Sequence, residues 1–316
     1  MLPWLLSGLG LIILLLAGDA LVKGAVNLSL RLGVPALIVS LTIVAFGTSA
    51  PELLISVNAV LADTPGLALG NVVGSNTANI LMVLGVPALL AVMHTSHCET
   101  RREYNLMIAA SIMFIALAFR GVFDWIAALI LLTALIGMLT YSFLEAQRHR
   151  AAGAADDEED LEGVDPDIEG WKIGMYLVLG IAGLPLGADL LVDNATIIAK
   201  TYGVSDTVIG LTLVAVGTSL PELATTVMAA LRRQADVALG NVIGSNMFNL
   251  LAIIGIASLV GPIAVDPSFL RFDLWVMLGA SILLVPFVYF RQDITRIWGV
   301  ILTALYVGYV IYVLSH

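Results

Sequence analysis

Gly47-Thr48-Ser49-Ala50-Pro51-Glu52 decides how this chain is read, because it occurs twice: it returns as Gly217-Thr218-Ser219-Leu220-Pro221-Glu222. Each copy sits in an apolar run long enough to cross a bilayer. A carboxylate beside a helix-breaking proline at that depth is costly, so it calls for a partner or a function. Extended outward at the same offset of 170 residues, Ala45–Gly85 lies on Ala215–Gly255 without a gap, and 21 of 41 positions are identical. The match reaches back through Thr42 onto Thr212, Gly33-Val34 onto Gly203-Val204 and Asp19 onto Asp189.

The composition around the repeat is that of a polytopic membrane protein. Of 316 residues, 59% are hydrophobic and 12% charged, about half the charged share of a soluble domain. The apolar residues come in runs that suit helical spans; a β-barrel would show short alternating segments. Ten spans are expected, at about residues 4–25, 35–60, 67–92, 104–120, 123–145, 172–194, 205–230, 236–260, 272–290 and 295–314. The fold class is therefore an all-α polytopic membrane protein of ten transmembrane helices. Residues 1–146 form one five-helix repeat and 171–316 the second, joined by an acidic linker over 147–170. Five is odd, so the second repeat must enter the membrane upside down. Inverted-topology repeats mark alternating-access transporters, with the site at the midplane where the repeats meet.

The net charge of −10 is concentrated: nine acidic residues lie between Asp156 and Glu169, in the linker, and the membrane part is near neutral. No basic patch suits a nucleic acid. The linker reads as a solvated hinge; the sharper reading, a regulatory calcium site, lacks the ligand spacing and central glycine of an EF-hand loop. Cys98 is alone, which leaves no intrachain disulfide or cysteine metal cluster. Residues 4–25 read as a retained first span and not a signal peptide, since no basic n-region or small-residue cleavage site accompanies them. With the N-terminus outside, Arg31, Arg101, Arg102, Arg148, Arg150, Lys172, Arg232, Arg233, Arg291 and Arg296 fall on cytoplasmic ends, and only Arg120, Lys200 and Arg271 fall clearly outside. This predicts a multi-pass protein of the cell membrane with both termini outside and the acidic linker in the cytoplasm.

On a helix, Thr48 and Ser49 lie four and three residues from Glu52, on one face. Pro51 has no amide hydrogen and clashes with the carbonyl four residues back, so the helix should bend and free carbonyls around Ala45, Phe46 and Gly47. Carboxylate, hydroxyls and carbonyls together suit a hard cation. The second copy offers Thr218, Ser219, Glu222 and the carbonyls near Ala215. Hydroxyls of this kind also bond back to the preceding turn, and proline kinks also serve packing, so the buried glutamates weigh most. The next span carries Gly70-Asn71-Val72-Val73-Gly74-Ser75-Asn76-Thr77-Ala78-Asn79, matched by Gly240-Asn241-Val242-Ile243-Gly244-Ser245-Asn246-Met247-Phe248-Asn249. Ser75 and Asn79, and Ser245 and Asn249, are four apart on one face, with Asn71 and Asn241 extending the stripe. They read either as neutral oxygen ligands or as interhelical amide contacts beside packing glycines.

Other candidates are weaker. Asp19 can pair with Lys23 as an interfacial or gating pair. His94, His97, His149 and His316 lie in loops or at the terminus, where exposure is expected. Trp4, Trp125, Trp171, Trp275 and Trp298 fall mostly at span ends, as an aromatic belt would. No phosphate-binding loop is present, and no intramembrane histidine or lysine base accompanies the hydroxyls, so an enzyme reading is poor.

At these residues the chain resembles the calcium/cation antiporter family, which includes the sodium/calcium exchangers. Both signatures, GTSxPE and GNxxGSNxxN, stand in both halves, and the ten-span inverted arrangement covers the whole chain. It looks most like the short prokaryotic members without a large regulatory domain. The resemblance implies central ligands at Glu52 and Glu222, flanking cation sites lined by Thr48, Ser49, Thr218, Ser219, Ser75, Asn79, Ser245 and Asn249, and contributions from the carbonyls of Ala45 and Ala215. It also implies that the first and sixth spans slide against the other eight to switch access. Some members, potassium-dependent ones included, carry aspartate where this chain has Asn249. The carboxylate that closely follows the GN pair in proton-coupled members is absent from Val72 to Asn76 and from Val242 to Asn246.

With Glu52 and Glu222 ionised the site carries about −2, and one Ca²⁺ neutralises it. Three Na⁺ would leave about +1, so a 3:1 exchange would move one charge, driven at roughly 2.3 kcal/mol per 100 mV. The leading expectation is a sodium/calcium antiporter with no cofactor, whose partners are its transported ions and the lipid bilayer. No obligate protein partner is expected. Calcium/proton exchange at the same site is the alternative. A passive cation channel or a membrane scaffold is more remote.

Overall fold

The structure is a computed structural model and describes residues 1–152, 168–203 and 215–315. Helix α1 spans Leu2–Leu32. It ends where Gly33 takes the left-handed conformation (φ 63°) and the Val34 amide turns back to the Ser29 carbonyl at 3.0 Å, a closure that costs glycine nothing sterically. Helices α2 (Ala36–Thr48) and α3 (Ala50–Leu61) are one span bent by 43°. Then follow α4 (Pro65–Leu90), α5 (Arg101–Ala118), strand β1 (Val122–Phe123) and α6 (Trp125–Ala152).

The second half repeats this order: α7 (Gly170–Thr201), α8 (Ala215–Thr218) and α9 (Leu220–Leu231), α10 (Ala235–Val260), strand β2 (Ile263–Ala264), α11 (Phe269–Tyr289) and α12 (Arg296–Ser315). Among the described residues, eight spans are long and apolar enough to cross a membrane when the bent α2–α3 pair counts as one. The expected fourth span coincides with α5, whose first turn is charged by Arg101, Arg102 and Glu103. Of the expected seventh, α8 and α9 are described, while 204–214, with Thr212 and Val204, lie outside the described residues.

The expected boundaries of three helices change. Helices α1 and α7 have 31 and 32 residues, about 46–48 Å at 1.5 Å per residue. They outrun the spans 4–25 and 172–194 at both ends; within α1, Asp19 pairs with Lys23 at 3.0 Å and with Arg232. Helix α6 runs on to Ala152, past the expected start of the linker at 147, through residues of good helical propensity. Residues 153–167, which hold most of the acidic linker, lie outside the described residues.

The two halves are related by inversion. The segment joining α5 to α6 pairs with the segment after α10: Val122 with Ala264 and Phe123 with Ile263. At the opposite end Met93, after α4, bridges Ile294, between α11 and α12, through hydrogen bonds of 3.1 and 3.0 Å. Each half thus ties its third span to the other half's loop between the fourth and fifth.

Helix α1 packs on α9 and α2, and helices α1 and α7 pack along one another. Their contact is set by backbone approach: a Cβ on Gly10 would lie 2.7 Å from the Leu191 nitrogen, and one on Gly187 2.8 Å from that of Leu14. Lipid tails are as apolar as the helices, so such close packing carries the association. Leu14, Ala17, Leu21, Ala25, Leu184 and Ala188 make a small apolar cluster with Val39, Val44 and Ala224. The main core, built chiefly on α3, α4, α5, α9, α10 and α11, also takes in Val22 and Val26 of α1.

Candidate cation-binding site

The repeated motif breaks its span in both halves, and at the same residue. Ser49 sits at φ −85°, ψ 2° between α2 and α3, and Ser219 at φ −88°, ψ 4° between α8 and α9. Pro51 and Pro221 occupy the first turn of the helices that follow, where a missing amide hydrogen costs nothing. Glu52 and Glu222 are therefore first-turn residues, and the positive ends of the half-helix dipoles offset part of the cost of burying them. The carbonyl ends of α2 and α8 meet the same bend. Ala45 is not stripped of donors as the kink suggested: its carbonyl accepts the Ser49 amide at 3.0 Å and the Thr48 hydroxyl at 3.2 Å. Pro51 instead removes the amide that would have served Gly47. In the second copy the Ser219 amide makes a tighter turn onto Val216, at 3.1 Å.

The structure buries Glu52, Glu222, Thr48, Ser49, Ser219, Ser75, Asn79, Ser245, Asn249 and Ala45, while Thr218 is half-buried. Several are brought together across the repeats. The Ser49 hydroxyl donates to Glu222 Oε1 at 3.3 Å. Thr48 Oγ1 lies 3.3 Å from both Ser245 Oγ and Asn241 Oδ1. Helix α2 packs on α10 as α8 packs on α4, which bears Ser75, and the two carboxylates are near enough to interact electrostatically.

Around these contacts a set of buried oxygens has no hydrogen-bond partner among the described residues: Glu52 Oε1 and Oε2, Glu222 Oε2, Asn79 Oδ1, Asn249 Oδ1 and Ser219 Oγ. Buried polar atoms are otherwise nearly always paired, so oxygens left over from both repeats suit a ligand that accepts lone pairs. Among the described residues no group of three or more His, Cys, Asp and Glu could hold a metal. The donor set is two carboxylates with neutral oxygens, which favours hard cations over the softer metals of imidazole and thiolate sites.

Some sequence-derived residues take other roles. Asn71 donates to the Glu52 carbonyl at 3.4 Å and to Ser56 Oγ at 3.2 Å. Asn241 repeats this with the Glu222 carbonyl at 3.4 Å and Thr226 Oγ1 at 3.2 Å. These two amides steady the glutamate-bearing helices instead of joining the ligand stripe. A Cβ on Gly240 would lie 2.8 Å from the Leu37 carbonyl, so α10 meets the backbone of α2; the segment that would meet Gly70 and Gly74 in the same way lies within 204–214, outside the described residues. His94 is exposed but bonded, its Nδ1 2.9 Å from Asp293; His97 is exposed; His149 and His316 lie outside the described side chains. Among the described residues Asp189 has no ion pair, since Ala62 stands where Arg232 would and Asp193 where Lys23 would.

Sequence reasoning missed two features. Asn76 and Asn246 are buried and bond reciprocally: each Nδ2 donates to the other's carbonyl, at 3.2 and 3.4 Å. Both lay in the repeated motif, but one residue round the helix from the chosen stripe. The helices also distort just past the asparagines: α10 takes a π turn over Asn249–Ile253, and in α4 the Val83 amide reaches back five residues to Ala78 at 2.9 Å. No proline or glycine at those positions announces it.

A helical membrane protein of two inverted halves, each contributing a broken span and a buried glutamate to one oxygen-lined centre, belongs to the transporter class. The chain is a member of the sodium/calcium exchanger protein family, whose profile matches residues 2–144 and 172–315. It is 36% identical over 307 residues to CaxA of Alkalimonas amylolytica, named as a candidate antiporter, covering 95% of each chain. It is 34% identical to the sodium/calcium exchanger MaX1 of Methanosarcina acetivorans, covering 96% of each. The structure of the sodium-calcium exchanger NCX_Mj soaked with zero Na⁺ and Ca²⁺ superposes with a TM-score of 0.83, at 30% identity and 99% coverage of each chain.

Proposed function

We propose that this protein is a secondary active antiporter that exchanges Na⁺ for Ca²⁺ by alternating access, at a midplane site built on Glu52 and Glu222. One observation carries the reading: two buried carboxylates from opposite repeats, surrounded by neutral oxygens, with Glu52 Oε1 and Oε2 and Glu222 Oε2 lacking any hydrogen-bond partner. Thr48, Ser49, Thr218, Ser219, Ser75, Asn79, Ser245, Asn249 and the carbonyls of Ala45 and Ala215 line the flanking positions. The similarity to MaX1, named a sodium/calcium exchanger, supports both ions. Ca²⁺ and Na⁺ compete for the same two carboxylates, and competition couples their movements. A Ca²⁺-loaded site is neutral and a site with three Na⁺ carries about +1, so membrane potential favours the sodium-loaded crossing in one direction.

The moving part is the α1–α7 pair. Its lengthwise packing, and an apolar face that rests on Val39, Val44 and Ala224 beside the ion pair of Asp19 with Arg232, support a unit that shifts past the bends at Ser49 and Ser219. The protein works with both termini outside and the linker between the repeats, over 147–170, in the cytoplasm. Uptake of ⁴⁵Ca²⁺ into proteoliposomes under imposed Na⁺, K⁺ and H⁺ gradients in turn tests the assignment. Sodium-driven uptake is expected. Flux that ignores Na⁺ and follows a pH gradient selects calcium/proton exchange, channel-like conductance selects a pore, and no flux selects a scaffold.

A further inference from the structure

The two asparagines of the site, Asn79 and Asn249, are equivalent in sequence and unequal in structure. Asn79 Nδ2 donates to Asn246 Oδ1 at 3.0 Å, and Asn79 Oδ1 stays buried with no partner. The mirror contact, Asn249 Nδ2 to Asn76 Oδ1, is not made: Asn76 Oδ1 and both polar atoms of Asn249 have no partner. Asn246 is held in turn, because its Nδ2 donates to the Asn76 carbonyl at 3.4 Å and to Met107 Sδ at 3.8 Å. A carboxamide serves a cation only through its oxygen; turned over, it presents the positive end of its dipole.

We propose that Asn246 is the positioning residue of Asn79: by engaging Asn79 Nδ2 it commits the Asn79 carboxamide to presenting its oxygen to the transported cation, while Asn249 is left to turn. The inference rests on the cation-site reading above, with Asn79 as a ligand. The chain of contacts runs from Met107 on α5, through Asn246 on α10, to Asn79 on α4, so the orientation of a ligand from one repeat is set by the other. Such an oriented amide needs no reorganisation when an ion arrives, and the advantage appears as affinity. With Asn249 uncommitted, one neutral ligand is fixed and its counterpart adapts to whichever ion enters.

The test is a double-mutant cycle on Ca²⁺ binding to the purified full-length protein, measured with ⁴⁵Ca²⁺ at zero Na⁺. Asn246→Ala is expected to weaken binding about tenfold, the scale of one buried hydrogen bond. Asn246→Ala in an Asn79→Ala background is expected to weaken it no further, because the residue it positions is gone. Asn76→Ala, which removes an amide that bonds only to backbone, is expected to change binding by less than about threefold. Effects of Asn246→Ala and Asn79→Ala that multiply in the double variant overturn the proposal, since Asn246 then acts on packing alone. Unchanged binding in Asn79→Ala overturns the ligand assignment beneath it, a distinguishable failure. Should Asn246→Ala not give monodisperse protein, Asn246→Ser runs the same cycle; its hydroxyl is too short to reach Asn79.

Discussion

Replacing Glu52 by glutamine separates the function of its charge from its place in the fold. Glu52 is 1% exposed, and neither carboxylate oxygen has a hydrogen-bond partner. The amide is nearly isosteric, so packing between α3 and α4 is kept. With Ca²⁺ bound, the site changes from neutral to about +1. Leaving a buried charge uncompensated in this way costs about 3–5 kcal/mol, which weakens Ca²⁺ binding by roughly two to three and a half orders of magnitude. The ion-free protein responds in the opposite sense, because one of two adjacent buried charges is gone. Its unfolding midpoint rises, on the order of 2–4 °C for each kcal/mol relieved. Two measurements on Glu52→Gln check this: sodium-gradient-driven ⁴⁵Ca²⁺ uptake in proteoliposomes, expected to vanish, and thermal unfolding with and without Ca²⁺. Wild type should gain about 2.7 kcal/mol at a ligand concentration 100 times Kd, and the variant almost none. Retained uptake, or a Ca²⁺-induced stabilisation equal to that of wild type, refutes the reasoning.

Arg232→Gln removes the contact between α9 and Asp19 of α1 and leaves Asp19 with Lys23 alone; transport should change by several-fold and recover in the charge-swapped pair Asp19→Arg with Arg232→Asp, whereas a swap that restores nothing removes the ion pair from the account of α1 movement. In the Met93–Ile294 strap, partial burial raises the Asp293 carboxyl, but the Ser96 hydroxyl and amide and the His94 ring more than reverse this and hold its pKa below the ordinary value. A depressed folded-state pKa contributes stability above the unfolded value, near 3.9, and loses it as pH falls through the folded value. Hydrogen-exchange protection factors at Met93 and Ile294 should therefore fall only in strong acid in wild type and already at neutral pH in Asp293→Asn, and equal protection in the two proteins at neutral pH would remove Asp293 as the strap's anchor.

The helical character, the inverted duplication and the glutamate pair were legible because each has a local or periodic signature: apolar runs set by bilayer thickness, an offset of 170 residues, and a proline that must break its helix. The bend at Ser49 and Ser219 followed from the same proline. What was not legible depends on which atoms meet across the repeats. Asn71 and Asn241 carry the helical spacing of ligands, yet they bond the carbonyls of Glu52 and Glu222. Ala45 was expected to offer a freed carbonyl, and its own Ser49 and Thr48 occupy it. The partner that Asp19 finds besides Lys23 is Arg232, just past the end of α9 and 213 positions away.

Sequence alone thus determined the class of fold and the recurrence of a buried glutamate after a broken helix in each half, because hydrophobic length, proline chemistry and repetition act over a few residues or at a constant offset. Only the tertiary structure decided which oxygens remain unpaired and which asparagine is anchored. Hydrogen bonding is saturable and directional: Asn246 can serve Asn79 or leave it, and two repeats with the same letters settle that choice differently once α4, α5 and α10 are packed.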